Sequence, residues 1–131
     1  MKRFDEMTQE YKRVSVLARG GQKLVFDASH KDYGDCVIKL YFSLNDPRSL
    51  REIEIGRSLN LDAVPKLYET GTVIYDDTET LYIVEEKICG TELRELLNQG
   101  LKFSLEEAVD FLEQGLLFIH NIEKKGIVHR D

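Results

Sequence analysis

The order of apolar spacings constrains this 131-residue chain most: period-two segments come first and a long helical stripe comes last. Val14, Val16 and Ala18 alternate with Ser15, Leu17 and Arg19; Leu24-Val25-Phe26 follows, and then Cys36-Val37-Ile38-Lys39-Leu40-Tyr41. Gly20-Gly21-Gln22 and Tyr33-Gly34-Asp35 separate them, which predicts three antiparallel strands in succession. Asn45-Asp46-Pro47 then offers a cap and a first-turn proline for a helix over 48–60, with Glu52, Ile55, Gly56 and Leu59 on one face. Two further strands, 68–75 and 81–85, flank the acidic turn Asp76-Asp77-Thr78-Glu79.

The remainder reads as helix. Residues 91–98 carry Leu93, Leu96 and Leu97 and close at Gly100. Ser104 with Glu107 forms a capping box that opens a second helix reaching about Ile122. Around Leu116-Leu117-Phe118-Ile119 that helix is apolar on every side, the pattern of a helix surrounded by protein. Strands followed by helices indicate an α+β fold.

Composition narrows the function classes. A net charge of -6 argues against a nucleic-acid partner, because phosphate binding needs a basic face. Leu116-Leu117-Phe118-Ile119 is the longest unbroken apolar run, so no membrane span is expected, and no secretory signal is visible after Met1-Lys2-Arg3. Cys36 and Cys89 lack metal-ligand spacing and read as two reduced thiols, which makes a cytoplasmic protein the expectation.

Four stretches carry candidate chemistry. Leu17-Ala18-Arg19-Gly20-Gly21-Gln22-Lys23-Leu24-Val25 places two glycines in a turn, where backbone N–H groups can approach phosphate oxygens. Lys39 ends Val37-Ile38-Lys39 inside an apolar run, and a buried ammonium needs an anionic partner. Leu81-Tyr82-Ile83-Val84-Glu85-Glu86-Lys87-Ile88-Cys89-Gly90-Thr91-Glu92-Leu93 joins the last strand to the helical part. The chain closes on Gly126-Ile127-Val128-His129-Arg130-Asp131.

In this order and spacing the four stretches resemble eukaryotic-type serine/threonine protein kinases, from about Tyr11 to Asp131. The resemblance implies a small lobe of five antiparallel strands and one helix over 11–85, after an N-terminal extension, 1–10. A hinge at 86–90 and two large-lobe helices within 91–131 follow, with the rest of the large lobe missing. It implies phosphoryl transfer from ATP to a protein hydroxyl, with Asp131 as general base and Lys39 ion-paired to Glu52. Nucleotide would lie against Leu17, Ala18, Gly20, Gly21, Lys23, Val25 and Val37. The Glu86 carbonyl and Ile88 N–H would bond the adenine edge, and Glu92 would face the ribose.

Two of the three family glycines are replaced, by Ala18 and Lys23, and Gly20 stands at the middle one. Glu85 occupies the position that walls the back of the adenine pocket, usually with an apolar side chain. A carboxylate there is expected to compete with Glu52 for Lys39 or to narrow nucleotide choice. The family's Mg2+ ligands lie beyond Asp131, so the chain reads as truncated after the catalytic triplet and inactive alone. With half of the last helix's ten apolar side chains wet, roughly 10 kcal/mol would be lost, which predicts self-association, a second polypeptide or poor solubility. The alternatives are a half-kinase that binds nucleotide or a partner without transfer, and a small-molecule phosphotransferase. Arg130 between His129 and Asp131 favours a protein kinase over the latter.

Overall fold

Residues 1–128 are described by the computed structural model, which divides into one compact unit over 1–88 and a second beginning at Cys89. The first unit is built on a five-stranded sheet in the order β1-β2-β3-β5-β4, antiparallel at every pairing. Its strands are β1 (Tyr11–Arg19), β2 (Lys23–His30), β3 (Gly34–Tyr41), β4 (Leu67–Tyr75) and β5 (Thr78–Glu86). Helix α1 (Phe4–Met7) precedes the sheet, and α2 (Pro47–Ser58) lies between β3 and β4. The second unit holds α3 (Leu93–Asn98) and α4 (Leu105–Glu123).

Strand alternation gives the sheet two different faces. Leu24, Phe26 and Ala28 of β2, Cys36, Ile38 and Leu40 of β3, and Tyr82 and Val84 of β5 form the main core. The N-terminal residues cover it: Met7 is buried there and Phe4 packs on the Phe26 ring at 4.8 Å. Lys2 holds this segment on β4 by accepting a 3.0 Å hydrogen bond from the Ile74 N–H. On the opposite face Tyr41, Leu81 and Ile83 pack with Ile53 of α2.

Local sequence explains the boundaries. The Asp46 carboxylate accepts from the Ser49 N–H at 3.0 Å and Pro47 fills the first helical position, so α2 starts where the cap dictates. Its deepest apolar contact is Ile53, with Ile55 and Leu59 half-buried beside it. Glycine at 34 is required by a φ of +71° at the start of β3. The β4–β5 turn is tighter than the four acidic and polar residues suggested: Asp76 and Asp77 alone turn the chain, with φ of 50° and 56°. Those values match the two-residue primed turn that twists with its flanking strands.

In the second unit Ser104 and Glu107 exchange their capping bonds at 3.1 Å each, as the sequence predicts. Much of the apolar circumference of α4 is wet among the described residues, as expected above for this chain. Leu116, Leu117 and Ile119 are exposed and only Ile122 is buried. The reason is geometric: α3 and α4, of 6 and 19 residues, cannot enclose one another. No helix among the described residues is long and apolar enough to cross a membrane.

Candidate functional site

The candidate site lies on the α2 side of the sheet and grows from strand register. Val25 of β2, Lys39 of β3 and Ile83 of β5 are successive cross-strand partners, so their side chains stand in one row. Two residues along, Asp27, Val37 and Glu85 form the parallel row. Lys39 therefore reaches Glu85 as its diagonal neighbour on one face, and α2 brings Glu52 over the same point. The ammonium is 2.6 Å from Glu85 Oε1 and 3.1 Å from Glu52 Oε1.

Burial separates the two carboxylates. The side chains of Lys39 and Glu85 are 17% and 16% exposed, whereas that of Glu52 is 41% exposed. Desolvation opposes the Lys39 charge, but the hydrogen bonds and charges of Glu85 and Glu52 outweigh it and hold the ammonium above the ordinary lysine range. Desolvation likewise works against the Glu52 anion, and Lys39 more than offsets it, so that carboxyl sits below its usual range. Tyr41, two residues beyond Lys39 on the same strand face, is buried next to this group. Burial first, then the Glu52 and Glu85 charges, push its hydroxyl far above the usual phenol range.

The glycine turn closes on itself through Gly20 N–H donating to the Lys23 carbonyl at 2.9 Å. Neither Gly20 nor Gly21 adopts a left-handed φ, and a Cβ on Gly21 would meet nothing within 4 Å. The fold itself thus does not demand glycine at 21, and the space beside it is open. Ala18 faces Val25 across a β-bulge that leaves Leu17 exposed. Lys23 places its ammonium 5.9 Å from the centre of the Tyr41 ring. Val37 is buried in the sheet, directly opposite Glu85 on β5.

At the end of β5 the Glu86 N–H donates to the Lys66 carbonyl at 2.8 Å, and its carboxylate accepts from the Lys66 N–H at 3.1 Å. Ile88 is exposed. Glu92 is the N-cap residue of α3 and belongs to the second unit. Asp131, the expected general base, lies outside the described residues, with His129 and Arg130.

Sequence reasoning missed two members of this face. Asp27 is largely buried between Arg13 at 3.1 Å and Lys87 at 3.0 Å. Tyr41 is the other. Both were findable by counting two residues along a strand, from Val25 and from Lys39.

No family model matches the chain. It is 34% identical over 128 residues to a probable serine/threonine-protein kinase of Streptomyces coelicolor, covering 92% of this chain and 19% of that protein. It is 28% identical to the probable serine/threonine-protein kinase PknB of Corynebacterium glutamicum, covering 95% of this chain and 20% of that one. Among solved structures, Rad53 1-466 in complex with AMP-PNP superposes with a TM-score of 0.77 at 23% identity, over 97% of this chain and 36% of that one. The sheet order and the helix between β3 and β4 are those of a protein-kinase small lobe. Fold and relatives agree: the chain has a protein-kinase small-lobe fold, and its homologues are named serine/threonine protein kinases. It spans between 19% and 36% of the length of these proteins.

Proposed function

We propose that this chain provides the ATP-binding part of a serine/threonine protein kinase. The observation that carries the reading is the buried Lys39 ammonium paired with Glu52, on the sheet face that Val25 and Val37 also line. Several residues fit a nucleotide. Val25 and Val37 offer apolar surface to a base, and the open space beside Gly21 leaves room for phosphate oxygens. Lys39 supplies the positive charge. ATP would bring the transferable phosphoryl group, with magnesium sharing its negative charge. The hinge backbone at Glu86 and Ile88 would orient the adenine, Glu92 the ribose, and Asp131 would take the proton of a protein hydroxyl. The protein substrate, the remainder of the large lobe and a cytoplasmic setting belong to the same reading.

A second reading, binding without transfer, draws on Glu85: its carboxylate already holds the ammonium that phosphate would need. Titration calorimetry with ATP, with and without magnesium, tests the nucleotide site. Saturable binding is expected, weakened at least about threefold in Gly21→Val at an unchanged melting temperature, because the new side chain fills ligand space and not protein space. No saturable binding under either condition would overturn the reading. Phosphate transfer to any protein separates the two readings.

A further inference from the structure

We propose that Glu85 is the resident counter-ion of Lys39 and sets how strongly the site takes nucleotide phosphate. The proposal rests on the nucleotide reading above and concerns the same site. Lys39 has two anionic partners, and the closer and more buried is Glu85, at 2.6 Å against 3.1 Å for Glu52. One ammonium between two carboxylates leaves the group with a net charge of -1. A phosphate oxygen reaching Lys39 is then a third anion competing for one cation.

Geometry says which carboxylate stays on Lys39 and opposes the phosphate. Glu52 stands on α2, is 41% exposed, and can keep part of its hydration with Lys39 shared. Glu85 stands on β5, 16% exposed, between its strand partners Val37 and Leu67, and cannot leave Lys39 without becoming an unpaired buried charge. Of the cations on the neighbouring strands, Arg13 is paired with Asp27, and Lys23 lies over the Tyr41 ring and favours the Glu52 anion, with no ion pair to Glu85. Each phosphate contact at Lys39 therefore works against the Lys39–Glu85 pair. The base and ribose make no demand on that ammonium, so the effect is confined to the phosphate part of the ligand.

The test compares ATP, ADP and adenosine binding by calorimetry in the full chain and in E85Q, E85L and E52Q. Removing the buried carboxylate is expected to tighten ATP and ADP about tenfold or more, while adenosine changes less than about twofold. E52Q, which removes the exposed and screened carboxylate, is expected to shift ATP affinity less than about threefold. E85Q keeps the shape of the wild-type side chain, so it reports even where E85L fails to fold. Unchanged or weaker ATP binding in E85Q overturns the proposal while leaving the nucleotide reading standing. An equal gain for adenosine, or an equal gain in E52Q, also overturns it, by assigning the effect to the base pocket or to overall charge. Absence of any nucleotide binding in wild type and in all three variants overturns the nucleotide reading and the proposal together.

Discussion

Replacing Lys39 with Met tests the energetic asymmetry of the charged group without a nucleotide. Methionine keeps the unbranched stem and removes the ammonium, so the lost quantity is mainly electrostatic. Two carboxylates are then left near each other with no cation between them. For Glu85, buried on β5, removing the partner of a buried pair costs about 3–5 kcal/mol. Glu52 has water to turn to, and loss of a pair that exposed costs about 0–1 kcal/mol. Glu85 retains some solvent contact at 16% exposure, so the expected cost of Lys39→Met is about 3 kcal/mol, a large share of a domain's 5–15. The partition is checked by two double-mutant cycles in urea, on Lys39→Met with Glu85→Gln and on Lys39→Met with Glu52→Gln. The Glu85 cycle is expected to show a coupling of about 2 kcal/mol or more, and the Glu52 cycle less than about 1. Adding Glu85→Gln to Lys39→Met is also expected to restore stability, because the orphaned charge goes with it. Equal couplings, or a larger one for Glu52, would show that exposure does not rank these carboxylates and would refute the reasoning.

Gly71→Ala on β4 places a Cβ 3.1–3.3 Å from the ring of Tyr82, which is buried and donates its hydroxyl hydrogen bond to Glu69. That ring is packed in the core and tethered at its hydroxyl, so a loss of about 1–3 kcal/mol is expected in the urea midpoint; a neutral result would mean the strands spread freely. Stability should also fall at both pH extremes for reasons the site defines. Glu52 has a folded pKa below its ordinary 4.5, so its contribution is present above that value and is lost as pH falls through the folded one. Lys39 lies above its ordinary 10.5, so its contribution is present below that value and is lost as pH rises through the folded one. Urea midpoints across this range should therefore form a plateau with an acid and an alkaline limb. Lys39→Met should shrink the alkaline limb, to which the buried Tyr41 hydroxyl also contributes, and an alkaline limb of undiminished size would remove Lys39 from the explanation.

How much of this was legible in the sequence depends on the range of the interaction that fixes each feature. The Asp46-Pro47 start of α2 and the Ser104–Glu107 box of α4 are set by neighbours three residues apart, and the sequence states them directly. The alternation in β2 and β3 is equally local, and it already puts Val25 and Lys39 on defined strand faces. The register between strands is not local. Nothing in the residues near Glu85 says that it stands one step along from the Lys39–Ile83 pair; only the β3–β5 ladder fixes that. The family resemblance supplied this by analogy, and so suggested a competition between Glu85 and Glu52, but it could not rank them. The ranking comes from burial, which depends on the whole sheet and on α2 together. The same distinction explains why α4 is apolar on every side and yet wet. Its apolar circumference is a property of the helix alone, whereas burial needs partners, and α3 offers too little surface to satisfy it. Local pattern thus specified the elements of this lobe, while the chemistry of Lys39 is settled by which of two acids the sheet keeps dry.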